Sequence, residues 1–167
     1  MENKLRLIMT PICNRDCKGC CNNDFDINQL PIVPNFRDWD TIMVTGGEPM
    51  LYPEMLHSLV CQIKNVNKGA RLILYTAKSK RPLDLIAMLH YFDEITLTLH
   101  EQFDVDPFAD LNLYLMHMDL AEKSLRLNVF EEVHLPDMDL SHWKVKDNIK
   151  WIKNCPLPEG ETLMRLF

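Results

Sequence analysis

The chain has 167 residues, 47% of them hydrophobic, and a formal net charge of −6. This length predicts one compact domain spanning residues 1–167. The acidity excludes a general nucleic-acid-binding surface, which would be basic. The N-terminal apolar run is too short for a signal peptide or a membrane span. We therefore expect a cytoplasmic protein without a membrane partner, in which the cysteines are reduced.

Short apolar runs predict five strands. They are LRLIMT (5–10), TIMVT (41–45), RLILYT (71–76), EITLTLH (94–100) and LRLNV (125–129). Apolar residues at helical spacing predict a helix that ends at Gly69, a second that begins at Pro82, and a third over 110–123. For 141–153 we expect a short helix, with a sixth strand around 148–152. The last dozen residues show no pattern that we can assign.

Strands that alternate with helices at this rhythm indicate right-handed crossovers and a parallel sheet. Five or six such units are too few for a complete eight-stranded barrel, which needs at least about 200 residues. The sequence therefore predicts an α/β fold of the partial parallel (β/α)6-barrel type in a single compact domain. The segment between Cys20 and Thr41 contains two prolines and leaves little room for a first crossover helix.

Four of the six cysteines lie within residues 13–21, in CNRDCKGCC. A structural zinc site would need a second pair of ligands at a distance, and Cys61 and Cys155 are isolated. A redox dithiol would use Cys17 and Cys20 but has no role for Cys13. Disulfides are disfavoured in a reducing compartment. An iron–sulfur cluster is the remaining interpretation.

The ligands of such a cluster would be Cys13, Cys17 and Cys20, which supply three thiolates from one loop. A cubane cluster has four irons, so three ligands leave one iron open to a substrate or cofactor. Electron-transfer clusters instead close all four positions with cysteine. The spacing therefore favours a catalytic cluster.

A second motif, TGGEP, follows the second predicted strand over residues 45–49. Its glycines would let the backbone approach a ligand closely, and the carboxylate of Glu48 would pair with an ammonium group. The combination of CxxxCxxC after the first strand and TGGEP after the second resembles the radical S-adenosylmethionine (SAM) enzymes. The resemblance is tight over residues 5–50 and looser to about residue 130.

The resemblance implies a [4Fe–4S] cluster held by Cys13, Cys17 and Cys20, and SAM bound to its open iron. Reductive cleavage of SAM would give methionine and a 5′-deoxyadenosyl radical that abstracts a hydrogen atom from the substrate. The residues expected to bind the cofactor lie within or just after the carboxyl-terminal halves of the predicted strands. They are Gly46, Gly47, Glu48, Pro49, Thr76, His100 and Asn128.

Two residues depart from the family pattern. The family commonly has an aromatic residue immediately before the third cysteine, where this chain has Gly19. One contact to adenine is therefore absent or supplied elsewhere. Cys21, beside Cys20, is a rival third ligand, although the spacing favours Cys20.

The cysteine-rich stretch is similar to the cluster loops of the activating enzymes of anaerobic ribonucleotide reductases, which act on a glycine of a partner protein. The implied partners are then SAM, a one-electron donor such as flavodoxin or ferredoxin, and a glycyl-radical protein. Modification of a small molecule or nucleotide precursor, as in the carboxydeazaguanine synthases, is the alternative within enzymes. A non-catalytic zinc-binding regulatory protein is the alternative from another class.

Overall fold

The computed structural model describes residues 2–167, and within them the chain forms seven strands and three α-helices. The strands are β1 (Lys4–Thr10), β2 (Thr41–Gly46), β3 (Arg71–Thr76), β4 (Glu94–Leu99), β5 (Ser124–Phe130), β6 (Trp143–Ile149) and β7 (Glu161–Arg165). The helices are α1 (Pro53–Val66), α2 (Pro82–Leu89) and α3 (Val105–Leu115). The strands divide between two compact units, and the described pairings inside each unit are parallel. The predicted α/β class with parallel strands is confirmed.

The first unit comprises the residues up to Leu74 together with Trp151–Phe167. Its strands lie in the order β7-β1-β2-β3. The core of this unit consists of apolar side chains from β1, β2, β3 and the inward face of α1, all of them at most 2% exposed: Leu5, Leu7, Ile42, Val44, Leu72, Leu74, Leu56, Leu59, Val60 and Ile63. An ion pair between Arg6 and Glu161, with 2.7 Å between Nε and Oε2, joins β1 to β7.

The segment between the cysteines and β2 contains no α-helix, as its prolines led us to expect. It forms two short 3-10 helices, Cys21–Asn23 and Ile27–Gln29. Strand β7 holds the middle of this segment, since the backbone of Arg165 donates to the carbonyl of Pro31 and its Nε donates to the carbonyl of Leu30, both at 2.9 Å. The C-terminal strand therefore fixes a connection that lacks a helix of its own.

The second unit is Tyr75–Lys150, with its strands in the order β4-β5-β6. Its core contains alternating residues of β4 and β5 and the buried faces of α2 and α3: Ile95, Leu97, Leu99, Leu125, Leu127, Val129, Leu85, Leu89, Phe108, Leu111 and Leu115. Trp143 at the start of β6 packs edge-on against Phe108, with 5.4 Å between the ring centroids. Its Nε1 donates to Oδ1 of the buried Asn112 at 2.9 Å.

Strands β1 to β5 and helices α1 and α2 agree with the sequence prediction, but three later elements differ. Helix α3 begins and ends earlier than the predicted 110–123, because a capping box formed by Glu101 and Asp104 starts the helical region upstream. Pro107 then lies in the first turn, where a missing N–H breaks no helical hydrogen bond. The predicted short helix within 141–153 is wrong, since β6 occupies most of that segment. Strand β7 lies in the stretch that we could not assign.

The helices are short, and α1 is the longest at 14 residues. Within residues 2–167, no helix has both the length and the apolar character needed to cross a bilayer.

Candidate metal and cofactor site

The two sequence motifs meet at the carboxyl ends of neighbouring strands in the first unit. Strands β1 and β2 are parallel, and Thr10 at the end of β1 pairs with Gly46 at the end of β2. The cysteine loop (residues 11–24) follows β1 and the GGEP turn (residues 46–49) follows β2. Parallel pairing therefore places the two motifs at the same edge of the sheet.

The GGEP turn is hydrogen-bonded directly to the start of the cysteine loop. The N–H of Gly47 donates to the carbonyl of Thr10 at 2.6 Å, and the N–H of Glu48 donates to the carbonyl of Ile12 at 2.9 Å. A Cβ on Gly47 would collide with the carbonyl group of Ile12 and lie 3.0 Å from the backbone nitrogen of Cys13. The sequence predicted that these glycines allow close approach to a ligand. In the structure, the close approach at Gly47 is to the chain's own cysteine loop.

Gly46 has a separate reason to be glycine. Its φ is +129°, in a region that L-residues rarely adopt, and a Cβ there would lie 2.5 Å from the carbonyl oxygen of Thr10. Its own carbonyl accepts a hydrogen bond of 2.7 Å from Nδ2 of Asn22. Asn22 thus ties the far end of the cysteine loop to the GGEP turn, a role that sequence reasoning missed.

Backbone hydrogen bonds fold the cysteine loop around its second and third cysteines. The N–H of Cys20 donates to the carbonyl of Cys17 at 3.0 Å, and the N–H of Asn23 donates to the carbonyl of Cys20 at 2.9 Å. Nδ2 of Asn23 also donates to the carbonyl of Cys17, at 3.3 Å. These contacts make the CxxC portion a compact turn, whereas Cys13 precedes it on the strand side.

The three predicted ligands lie on this loop, and each is outside the disulfide. Cys13 is exposed, while Cys17 and Cys20 are half-buried. Within residues 2–167, no group of three or more Cys, His, Asp or Glu side chains is arranged to hold a metal ion. The three sulfurs are therefore not grouped as they would be around a cluster. The donor set nevertheless fits an iron–sulfur cluster, since thiolates are its usual ligands and all three lie on one accessible loop.

Cys21 is paired with Cys155 in a disulfide, with 5.3 Å between the Cα atoms. The expectation that all cysteines are reduced is therefore wrong for these two. The pair closes a separation of 134 residues, which no local spacing could predict. The pairing also removes Cys21 from competition with Cys20 for a metal, and it anchors the segment after Trp151 to the cysteine loop.

Trp151 lies against Gly19, between the second and third cysteines of the loop. A Cβ on Gly19 would lie 2.5 Å from Cδ2 and 2.7 Å from Cβ of Trp151, so the indole occupies the space of a side chain at position 19. Beside the indole is an open cavity of about 260 Å³, lined also by Lys18, Cys20 and Lys153. Sequence reasoning missed this contact, for which the only local signal was a glycine where an aromatic residue was expected.

Glu48 is buried, with 2% of its surface exposed. One carboxylate oxygen accepts a hydrogen bond of 2.9 Å from the N–H of Met50, which caps the short 3-10 helix Pro49–Leu51. Pro49 occupies the first position of that helix, where its fixed φ suits the turn. The cap fixes the carboxylate within the GGEP turn, whose backbone is bonded to the cysteine loop. Low solvent access there strengthens any ion pair that the carboxylate makes.

The other three predicted cofactor residues belong to the second unit. Thr76 ends β3, His100 follows β4, and Asn128 lies within β5. Thr76 is buried and its hydroxyl accepts from the N–H of Lys78 at 3.0 Å. Nδ2 of Asn128 donates to the hydroxyl of Thr98 on the adjacent strand, at 3.4 Å. The ring of His100 packs against Phe130 with 4.8 Å between centroids. The structure gives each of these side chains a structural partner within its own unit.

A larger depression, of about 520 Å³, lies elsewhere in the first unit between the loop at Phe36 and the end of α1 at Val66. No cysteine, histidine or carboxylate is among its lining residues, so it offers no metal ligand.

No protein-family model matches the sequence, and no curated protein matches it. The case for a function thus depends on the chemistry of the cysteine loop and the GGEP turn.

Proposed function

We propose that the protein is a radical SAM enzyme. The observation that carries the proposal is the direct hydrogen bonding of the GGEP turn to the loop that bears Cys13, Cys17 and Cys20. Three thiolate ligands on one loop, and a buried carboxylate in the turn that is hydrogen-bonded to that loop, would together suit a cluster and an amino-acid ligand. The partial (β/α)6 barrel is the finer fold that belongs to this proposal.

Cys13, Cys17 and Cys20 would hold a [4Fe–4S] cluster through their thiolates. When bound and reduced by a one-electron donor, the cluster would supply the electron for cleavage of SAM to methionine and a 5′-deoxyadenosyl radical. Glu48 would orient SAM by accepting from its ammonium group, a charge-assisted hydrogen bond strengthened by burial. Gly46 and Gly47 keep the backbone of the turn close to the cysteine loop. Thr76, His100 and Asn128 remain predicted SAM contacts, each testable by its own substitution.

The reaction after hydrogen abstraction would act on a glycine of a partner protein, with flavodoxin or ferredoxin as the one-electron donor in the cytoplasm. Modification of a small molecule or nucleotide precursor is the alternative. A pull-down for a large partner, followed by electron paramagnetic resonance for a glycyl radical, separates the two. A zinc site made by all four clustered cysteines is disfavoured, because Cys21 is bonded to Cys155.

The test is anaerobic reconstitution with iron and sulfide, followed by dithionite and SAM. We expect iron-dependent absorbance and formation of 5′-deoxyadenosine. Alanine at Cys13, Cys17 or Cys20 should abolish both signals, whereas Cys61→Ala, at an exposed free thiol on α1, is the matched control and should retain them. Cys21→Ala should also keep most of the absorbance. One zinc per chain and no 5′-deoxyadenosine would refute the proposal.

A second variant tests the role of the GGEP carboxylate. Glu48→Gln keeps the shape of the side chain and can still accept from Met50, but it loses the charge. Because a hydrogen bond to a charged group contributes about 1.5–3 kcal/mol, SAM affinity should fall about 10- to 150-fold while the iron content stays constant. Unchanged SAM affinity would remove Glu48 from the proposed site.

A further inference from the structure

The C-terminal segment places an aromatic face over the cysteine loop. Trp151 lies on Gly19, and a Cβ at position 19 would overlap the indole, so the ring stands in for a side chain that this position lacks. Four residues later, Cys155 is bonded to Cys21. The ring and the disulfide thus meet the loop on both sides of Cys20, and the segment is held there covalently.

The surroundings of the ring suit a flat, polar-edged ligand. Trp151 is 44% exposed, and Cys20 also lines the cavity of about 260 Å³ beside it. Lys18, Lys153 and Asp24 line the same cavity, so charged and hydrogen-bonding groups surround an apolar face. A heteroaromatic base combines a face that stacks on indole with an edge of donors and acceptors. A purine fits that combination better than an aliphatic ligand does.

We propose that Trp151 is the stacking platform for the adenine ring of SAM, and that the Cys21–Cys155 disulfide holds it in place. The inference rests on the proposed function, because it places the nucleoside end of SAM next to one of the proposed cluster ligands. It assigns a binding role to a residue outside both sequence motifs. Trp151 is a binding and positioning residue here, and no chemical step passes through it.

The test measures SAM binding to the cluster-loaded protein without reductant, by calorimetry. Stacking of a base on an aromatic side chain contributes about 1–3 kcal/mol, so Trp151→Ala should weaken SAM binding about 5- to 150-fold. Trp151→Phe keeps an aromatic face and should stay within about fivefold of the wild type. Trp39→Phe is the matched control, since Trp39 lies in the loop before β2 and should leave binding unchanged.

Two further measurements separate stacking from a purely structural role. Iron content should be the same in the wild type and in Trp151→Ala. Free methionine, which lacks adenine, should bind both proteins equally. If Trp151→Ala loses iron, or loses methionine and SAM affinity in parallel, the ring only shapes the loop and the inference is overturned. Selective loss of SAM affinity supports it.

A separate variant tests the role of the Cys21–Cys155 disulfide. Cys155→Ser removes the disulfide while retaining Trp151, and we expect weaker SAM binding because the segment is no longer fixed to the cysteine loop. Unchanged affinity would overturn the role of the disulfide. The outcomes also distinguish this inference from the proposed function. If the wild type binds no SAM, both fail; if the wild type binds SAM and Trp151→Ala binds it equally well, the inference alone fails.

Discussion

Replacement of Gly47 by alanine tests whether the two motifs form one rigid unit. The added methyl group would collide with the carbonyl of Ile12 and lie 3.0 Å from the nitrogen of Cys13. Both are backbone atoms, which cannot move away by changing rotamer. We expect the whole turn to shift, which would break the hydrogen bonds from Gly47 to Thr10 and from Glu48 to Ile12.

The expected loss of stability follows from these contacts. Overpacking costs about 1–3 kcal/mol, and each of the two hydrogen bonds contributes about 0.5–1.5 kcal/mol. The free energy of unfolding should therefore fall by about 2–6 kcal/mol. With a urea dependence of about 2 kcal/mol per molar, the midpoint of urea unfolding of the metal-free protein should decrease by about 1–3 M.

Two other glycines serve as controls for Gly47→Ala. Gly69 has no atom closer than 3.9 Å to an added Cβ, so Gly69→Ala should leave the stability unchanged or raise it by about 0.4–1 kcal/mol. Gly160 has a φ of +81° and nothing within 4 Å, so Gly160→Ala isolates backbone strain, about 1–2 kcal/mol. A Gly47→Ala loss no larger than that of Gly160→Ala would refute a rigid contact between the motifs.

Trp143→Phe should retain the aromatic packing of Trp143 but leave the buried oxygen of Asn112 without its indole donor, which costs about 1–3 kcal/mol in urea unfolding; a loss below about 0.5 kcal/mol would contradict this. Near the N-terminus, hydrogen bonding by the Thr41 hydroxyl, followed by Lys4, lowers the pKa of Glu2 below its usual 4.5. The stabilising effect of the ionised Glu2 carboxylate is therefore complete above pH 4.5 and is lost as pH falls through the lowered pKa. The stability difference between wild type and Glu2→Gln should shrink over that range, and a difference independent of pH would be evidence against this linkage.

The elements that the sequence predicted are those whose pattern is set by local burial. Strands such as RLILYT are continuous apolar runs, because β3 has a nearly uninterrupted buried stretch. A sixth strand was predicted around 148–152, whereas β6 spans 143–149. Its start was not predicted because Trp143 is its one buried residue and most of the residues that follow are exposed. Strand β7 pairs with β1 across more than 150 residues, so no neighbouring pattern marks it.

The residues of the candidate site also differ in whether a local sequence pattern predicts them. Cys13, Cys17, Cys20 and Glu48 were found because each belongs to a short motif that follows a strand. Asn22, which donates to the carbonyl of Gly46, escaped notice since its partner is 24 residues away. Trp151 and Cys155 have even less local signal. They reach the cysteine loop only when distant parts of the first unit fold together.

Gly19 and Cys21, the two residues that differ from the radical SAM pattern, contact the same C-terminal segment. Gly19 is the residue that leaves space for the indole of Trp151, and Cys21 is the residue that bonds to Cys155. Considered separately, Gly19 in place of an aromatic residue would mean the loss of a contact to adenine. The extra Cys21 would leave the third metal ligand ambiguous. The segment between Trp151 and Cys155 accounts for both, since it fills the space over the glycine and occupies the extra thiol. Gly19 and Cys21 therefore both contact the C-terminal segment, which would belong to the proposed site together with the two motifs.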